Sequence, residues 1–270
     1  MTYTSFKVEV ENKIGTVSIN RPDKANSINN TGWNELREIF LMLSSEPTVR
    51  VVVIRGEGKH FCAGMDLGAL MEISQSYQGS CEARKREKFS VDLQRLQDSI
   101  TAVADCSKPV IAAVHGACVG AGVDLITACD MVYCTSDAYF SIKEVDMGLV
   151  ADMGTLQRLP KKIAPGIVAE LAFTGRKMKG DEAMKVGLCN DALANQDLLY
   201  KKAKDIAEQI AGKSPVVVRG TKKVLAYSQE HSVKEGLDYI KIWNAGMIHS
   251  NDLMEAMGAS MQKRTPVFED

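Results

Sequence analysis

Two glycine-containing loops and three carboxylates are the parts of this sequence whose residue types and spacing could support chemistry. One loop, His60-Phe61-Cys62-Ala63-Gly64-Met65-Asp66-Leu67, follows the apolar run Val51 to Ile54. The other, His115-Gly116-Ala117-Cys118-Val119-Gly120-Ala121-Gly122-Val123-Asp124, follows Val110 to Val114. Small residues let backbone approach a ligand closely, and the second loop feeds a helix whose first N–H groups have no intrahelical partner. Two such groups converging on one carbonyl oxygen would make an oxyanion hole. Taken alone, the loops are equally compatible with tight strand-to-helix packing. They are not a P-loop, because no Gly-Lys-Ser/Thr follows, and Gly116, Gly120 and Gly122 do not fit GxGxxG.

The acids add direction. Asp124 lies three residues beyond Ala121, so on a helix it shares the face of the helix N-terminus. Glu144 follows in SIKEVD, and Asp152 is bracketed by Leu149, Val150, Ala151 and Met153. A carboxyl in such apolar company either holds a structural partner or has a raised pKa suited to proton transfer. The residues themselves leave both readings open. His115 ends a buried strand and reads as packed, Asp130 and Asp146 read as structural charges, and the methionines of the helices read as core or pocket filling.

The elements that must position these groups follow from periodicity. Phe6 to Glu11 alternates, and Gly15 to Ile19 follows the turn at Asn12-Lys13, which predicts an antiparallel hairpin at a sheet edge. Trp33, Leu36, Phe40 and Leu43 recur at helical spacing, predicting a helix from about Thr31 to Leu43. Val49 to Ile54 and Val110 to Val114 read as strands buried on both faces. Gly68 to Arg86 reads as polar, irregular and mobile, leading to a helix over Phe89 to Val103. A helix opens near Gly120 and runs to about Cys129. Short strands are expected at Met131 to Cys134 and Ala138 to Ser141. Strands alternating with helices indicate an α/β fold. From about Leu198 the pattern is helical only, including Leu199 to Ile210, Val216 to Tyr227 and Ser232 to Ile248. Residues 1–197 therefore read as a core carrying the site, and 198–270 as a helical packing or oligomerisation region.

Composition narrows the function classes. With 270 residues and a formal net charge of -1, nothing favours nucleic acid or an anionic membrane as partner. No apolar run approaches the ~20 residues that span a bilayer. Met1 to Lys13 has the character of neither a secretory signal nor a transit peptide, and Thr265 to Asp270 is not a peroxisomal tripeptide, so the chain reads as soluble and intracellular with its compartment open. The cysteines, Cys62, Cys81, Cys106, Cys118, Cys129, Cys134 and Cys189, are odd in number and include no CxxC. They read as buried free thiols in a reducing compartment, and no metal site is expected.

FCAGMDL, HGACVGAGVDLITACD and FSIKEVDMGLVADMGTLQRLP, with INRPDKANSIN before them and FTGRKMKGDEAMKVGLCN and SMQKRTPVF after, resemble the crotonase (enoyl-CoA hydratase/isomerase) family over nearly the whole chain. The resemblance implies a ββα spiral core with a C-terminal helical region that builds trimers, often paired into hexamers. It implies an acyl-CoA thioester as substrate, with no separate cofactor. By motif position the oxyanion donors are the N–H groups of Met65 and Ala121; many relatives have Gly where Ala121 stands. Lys24 and Ala25 match the nucleotide-side loop. Ala63, Gly64, Asp66 and Leu67 match the segment along adenine and pantetheine. Lys263 and Arg264 could reach the phosphates from a neighbouring subunit.

The triple Asp124, Glu144, Asp152 resembles the Δ3,5-Δ2,4-dienoyl-CoA isomerase branch of fatty acid β-oxidation. Hydratases carry Glu at the first of these positions and a small residue at the last. The implied roles are Glu144 as base at C2, Asp152 as acid at C6 and therefore protonated at the start, and Asp124 as an electrostatic partner near the thioester. A hydratase or Δ3-Δ2-enoyl-CoA isomerase is the nearest alternative. An RNA-binding relative would want a lysine-rich helix in the first third, whereas Asn34 to Pro47 carries Glu35, Arg37, Glu38 and Glu46. The resemblance places such enzymes in the mitochondrial or peroxisomal matrix of eukaryotes, or in the bacterial cytoplasm.

Overall fold

The alternating segment at the start forms a hairpin, β1 (Phe6–Glu11) and β2 (Ile14–Ile19), paired antiparallel. Both turn residues, Asn12 and Lys13, have positive φ (51° and 68°), the geometry of tight two-residue hairpin turns. The computed structural model describes residues 3–76 and 79–270. The chain continues through α1 (Asn30–Ser45), β3 (Val51–Gly56), α2 (Leu67–Ser76), α3 (Glu82–Ala104), β4 (Val110–Val114), β5 (Ala117–Val119) and α4 (Ala121–Thr127). Then come β6 (Met131–Thr135), β7 (Tyr139–Ser141), α5 (Thr155–Arg158), α6 (Pro165–Thr174), β8 (Met178–Lys179), α7 (Gly180–Lys185) and β9 (Asp191–Leu193). Helices alone follow: α8 (Gln196–Ala211), α9 (Pro215–Ser228), α10 (Val233–Met247) and α11 (Asn251–Met261).

One sheet has the order β1-β2-β3-β4-β6-β9, parallel except at the hairpin; a small second sheet has the order β5-β7-β8. Because strand side chains alternate, β3 serves two layers at once. Val52 and Ile54 join Trp33, Leu36 and Phe40 of α1 and Leu96, Ile100 and Val103 of α3. Val51 and Val53 face Leu199, Ala203 and Ala207 of α8. The expected boundary near residue 197 thus falls at the start of a helix that seals the second face of the sheet. Beyond it, α9 to α11 each begin on a serine cap, Ser214, Ser232 and Ser250, and bury little besides Pro215, Gly220, Gly236 and Ala259.

Two expectations need correction. Most of Gly68 to Arg86 is helical, not irregular: α2 covers its first part and α3 starts at Glu82; Tyr77 and Gln78 lie outside the described residues. Glu, Ala, Arg and Lys are strong helix formers, and a helix start whose sides are mostly exposed shows no apolar period in the sequence. The strand expected from Val49 begins at Val51; just before it, the buried Arg50 donates its main-chain N–H to Lys13 O and its guanidinium to Ala211 O and Phe268 O. The cysteines are free and, apart from the exposed Cys81, buried.

Candidate active site

The loops after β3 and β4 are laced together by main chain. Phe61 N donates to His115 O (2.9 Å), Cys62 N to Ala117 O (3.0 Å), and Val119 N to Cys62 O (3.0 Å). From the other side, Ile28 N donates to Gly64 O (2.8 Å) and Asp66 N to Ile28 O (3.0 Å). Gly64 has φ +95°, and a Cβ there would lie 2.9 Å from Val119 O and 3.6 Å from Ala121 N. Only glycine admits that approach, and the approach is what brings Met65 beside Ala121. Ala121 opens α4, where the first N–H has no intrahelical acceptor. Among the described residues, no acceptor is taken by Met65 N or Ala121 N, whereas the N–H groups of Gly64, Asp66 and Gly120 are engaged.

Three carboxylates share the cavity next to these donors. Asp124 is buried on α4, and its Oδ1 accepts a hydrogen bond from Thr155 N (2.6 Å). Burial raises its pKa to about 6, opposed by the Thr155 bonds and by the nearby Arg158 guanidinium. Glu144 stands on a single 3-10 turn, Lys143–Met147, with its Oε1 3.3 Å from where a Gly120 Cβ would be. Among the described residues its buried Oε2 has no hydrogen-bond partner. Desolvation, reinforced by the charges of Asp124 and Asp152, pushes Glu144 up to about 7. Asp152 is also raised by desolvation, although the residue is exposed at the cavity edge. The apolar neighbours expected around Asp152 turn differently: Ala151 and Met153 are buried, whereas Leu149 and Val150 are 49 % and 75 % exposed. Burial and like charge thus raise the proton affinity of Glu144 to near neutrality, where its ionised, basic form is still well populated.

The cavity measures about 240 Å³ and is lined by Ala63, Gly64, Met65 and Ala121 together with all three acids. Its apolar wall comes from Leu67 and Leu70 of α2, Phe89, Leu93 and Leu96 of α3, and Met147, Leu149 and Met153. Most of these wall residues escaped the sequence reading. Phe89, Leu93 and Leu96 recur at i, i+4, i+7 in an otherwise charged helix, a signal that could have found them. Larger hollows of about 400 and 630 Å³ lie against the C-terminal helices, but neither gathers carboxylates around paired N–H donors.

The expected coenzyme contacts divide. Lys24 and Ala25 come beside the donor loop, since Ala63 N donates to Ala25 O (3.1 Å). Asp66 pairs with Arg21 (3.0 Å) and accepts from Gly68 N at the start of α2. Lys263 and Arg264 do not line the cavity; Arg264 is held in a fork by Glu255 at 2.6 and 2.8 Å. His115 is packed, with Nε2 at 2.9 Å from Gly58 O, and Asp130 bonds Val110 N and Lys222.

A family model described as enoyl-CoA hydratase/isomerase matches residues 9–270. The peroxisomal Δ3,5-Δ2,4-dienoyl-CoA isomerase of Arabidopsis thaliana is 45% identical, across 99% of this chain and 99% of its own length. The mitochondrial Δ3,5-Δ2,4-dienoyl-CoA isomerase of Mus musculus is 44% identical, across 97% of this chain and 81% of its own. Among solved structures, an enoyl-CoA hydratase from Bacillus anthracis superposes with a TM-score of 0.89 at 31% identity, covering 98% of this chain and 99% of that one.

Proposed function

The chain belongs to the enoyl-CoA hydratase/isomerase family, and from that premise we propose how its three acids divide the work of a double proton transfer. The activity is isomerisation of 3,5-dienoyl-CoA to 2,4-dienoyl-CoA. Glu144 takes a proton from C2, and the electron pair spreads through the two double bonds to the thioester oxygen. That oxygen is received by the N–H groups of Met65 and Ala121, the oxyanion hole of this reading. Asp152 then delivers its proton to C6, leaving the 2,4-diene, and solvent returns both acids to their starting forms. One carboxylate does not readily reach both ends of a conjugated chain, so two on separate arms make chemical sense. Asp124 stays beside the thioester as an electrostatic partner. An acyl chain lying along Leu93, Leu96 and Met153 strips water from Asp152 and favours its protonated form, the one it needs.

The observation that carries this reading is the convergence of Asp124, Glu144 and Asp152 with two uncommitted N–H donors on one apolar cavity. Coenzyme A enters as part of the substrate, with Lys24, Ala25, Asp66 and Leu67 along its nucleotide and pantetheine. The apolar faces of α9 to α11, including Leu237 (63 % exposed), Ile242 (71 %) and Met254 (69 %), support a trimer or hexamer in which Lys263 and Arg264 serve a neighbour's phosphates. Sedimentation as a monomer at assay concentration would remove that assembly. The functional test is incubation with a 3,5-dienoyl-CoA while following absorbance of the conjugated product. Turnover should be seen there, and hydration of a 2-enoyl-CoA with no dienoyl turnover would point instead to the hydratase alternative.

A further inference from the structure

Asp152 must aim its carboxyl at one end of the substrate, yet it sits on a short irregular stretch between Gly148 (φ +70°) and Gly154 (φ +123°). Ala151 and Met153 are buried on either side of it, so the Asp152 side chain emerges alone. Two side chains hold the backbone at this point. Gln97 Nε2 donates to Asp152 O (2.7 Å), and Arg158 Nη1 donates to Met153 O (3.3 Å). Arg158 Nη2 also donates to Thr101 Oγ1 (3.3 Å), and Thr101 lies one helical turn beyond Gln97 on α3. A Cβ at Gly154 would fall 1.8 Å from Arg158 Nη1, so the guanidinium fills the space a side chain there would occupy.

We infer that Gln97 and Arg158 are positioning residues that clamp consecutive carbonyls of the Asp152 arm onto α3 and so set the reach of the C6 acid. Neither side chain lines the cavity itself; each reaches it only through a carbonyl of a lining residue. The same helix presents Phe89, Leu93 and Leu96 to the acyl chain, so the distance between chain and acid is fixed by one rigid element. A catalytic group displaced by about 1 Å can lose on the order of 10²-fold in rate. The clamp serves only the second half of the reaction, because Glu144 stands on a different turn with its own main-chain bond, Leu149 N to Glu144 O (3.0 Å).

This inference rests on the assignment of Asp152 to the C6 end, and the test separates the two. Gln97→Met removes the donor while keeping side-chain length, and Arg158→Met removes the other. For each variant, exchange of the C2 hydrogens in deuterated water is measured beside net conversion of 3,5-dienoyl-CoA. In Gln97→Met net conversion should fall by about 10- to 100-fold with C2 exchange and KM unchanged. Arg158→Met should lower net conversion at least as far, and C2 exchange with it, because its guanidinium also neighbours Asp124. Equal loss of both steps, or wild-type values of both, in Gln97→Met overturns the clamp. If Arg158→Met does not fold, Gln97→Met decides alone. Asp152→Asn is run in parallel: should it convert substrate normally, the acid assignment falls and the clamp falls with it. If Asp152→Asn uncouples the steps and Gln97→Met does not, only the clamp is lost.

Discussion

The wall that offers N–H donors and the arm that offers acids are built on opposite plans. The wall is main chain bonded to main chain: buried Phe61 and Cys62 tie the first loop to the second, and Gly64 lets them touch. The arm from Lys143 to Gly154 is a 3-10 turn and an irregular stretch with Val145, Met147, Leu149 and Val150 exposed. On the proposed reading, the part that meets the carbonyl oxygen is built from main-chain bonds, and the part that meets the double bonds is held by a few side chains.

The largest effect should separate the two acids of the arm. Glu144→Gln and Asp152→Asn should each lower net isomerisation by ~10²–10⁴-fold. C2 exchange should vanish in Glu144→Gln and persist in Asp152→Asn; the reverse pattern would interchange their roles. A change in the wall should not separate the steps. Gly64→Ala places a Cβ 2.9 Å from Val119 O at φ +95°, so both donors shift together. It should reduce exchange and isomerisation in parallel by about 10²–10³-fold. Rates that part company in this variant would show that the two loops do not act as one unit.

The smallest effect is on stability and has a definite sign. Glu144 has an ordinary pKa of 4.5, raised in the fold to about 7 by desolvation and neighbouring acids. Between those values the folded chain keeps a proton that the unfolded chain gives up, so stability declines as pH rises through this window. Glu144→Gln should therefore stabilise the fold by on the order of 1 kcal/mol at pH 8, with the gain absent below pH 4, read from denaturant midpoints. An equal gain at both pH values would locate the effect in packing instead of charge.

Much of this was legible in the linear sequence, for physical reasons that differ by region. Strands β3 and β4 announce themselves because both faces are buried, and α1 because only one is. Met65, Ala121 and the three acids stand at the positions that the family resemblance marks, and all five line one cavity. The start of α3 was not legible, since an exposed helix carries no apolar period; α2 is too short, and too close to the glycine loop before it, for Leu67 and Leu70 to stand out as a helical repeat. The acyl wall on α3 was hidden for a related reason: Phe89, Leu93 and Leu96 mark one face among charges, and which cavity that face meets depends on packing.

What the sequence determined by itself was the chemistry available: residue types, their order, and the family resemblance that gives them a common task. What only tertiary structure decided was proximity and charge state. Gln97 and Arg158 stand 61 residues apart, counting from their numbers in the chain, and meet on adjacent carbonyls because α3 crosses behind the Asp152 arm. Likewise nothing in SIKEVD sets the proton affinity of Glu144. That value comes from its removal from water beside Asp124 and Asp152, and desolvation is a property of the surrounding volume that no local segment encodes.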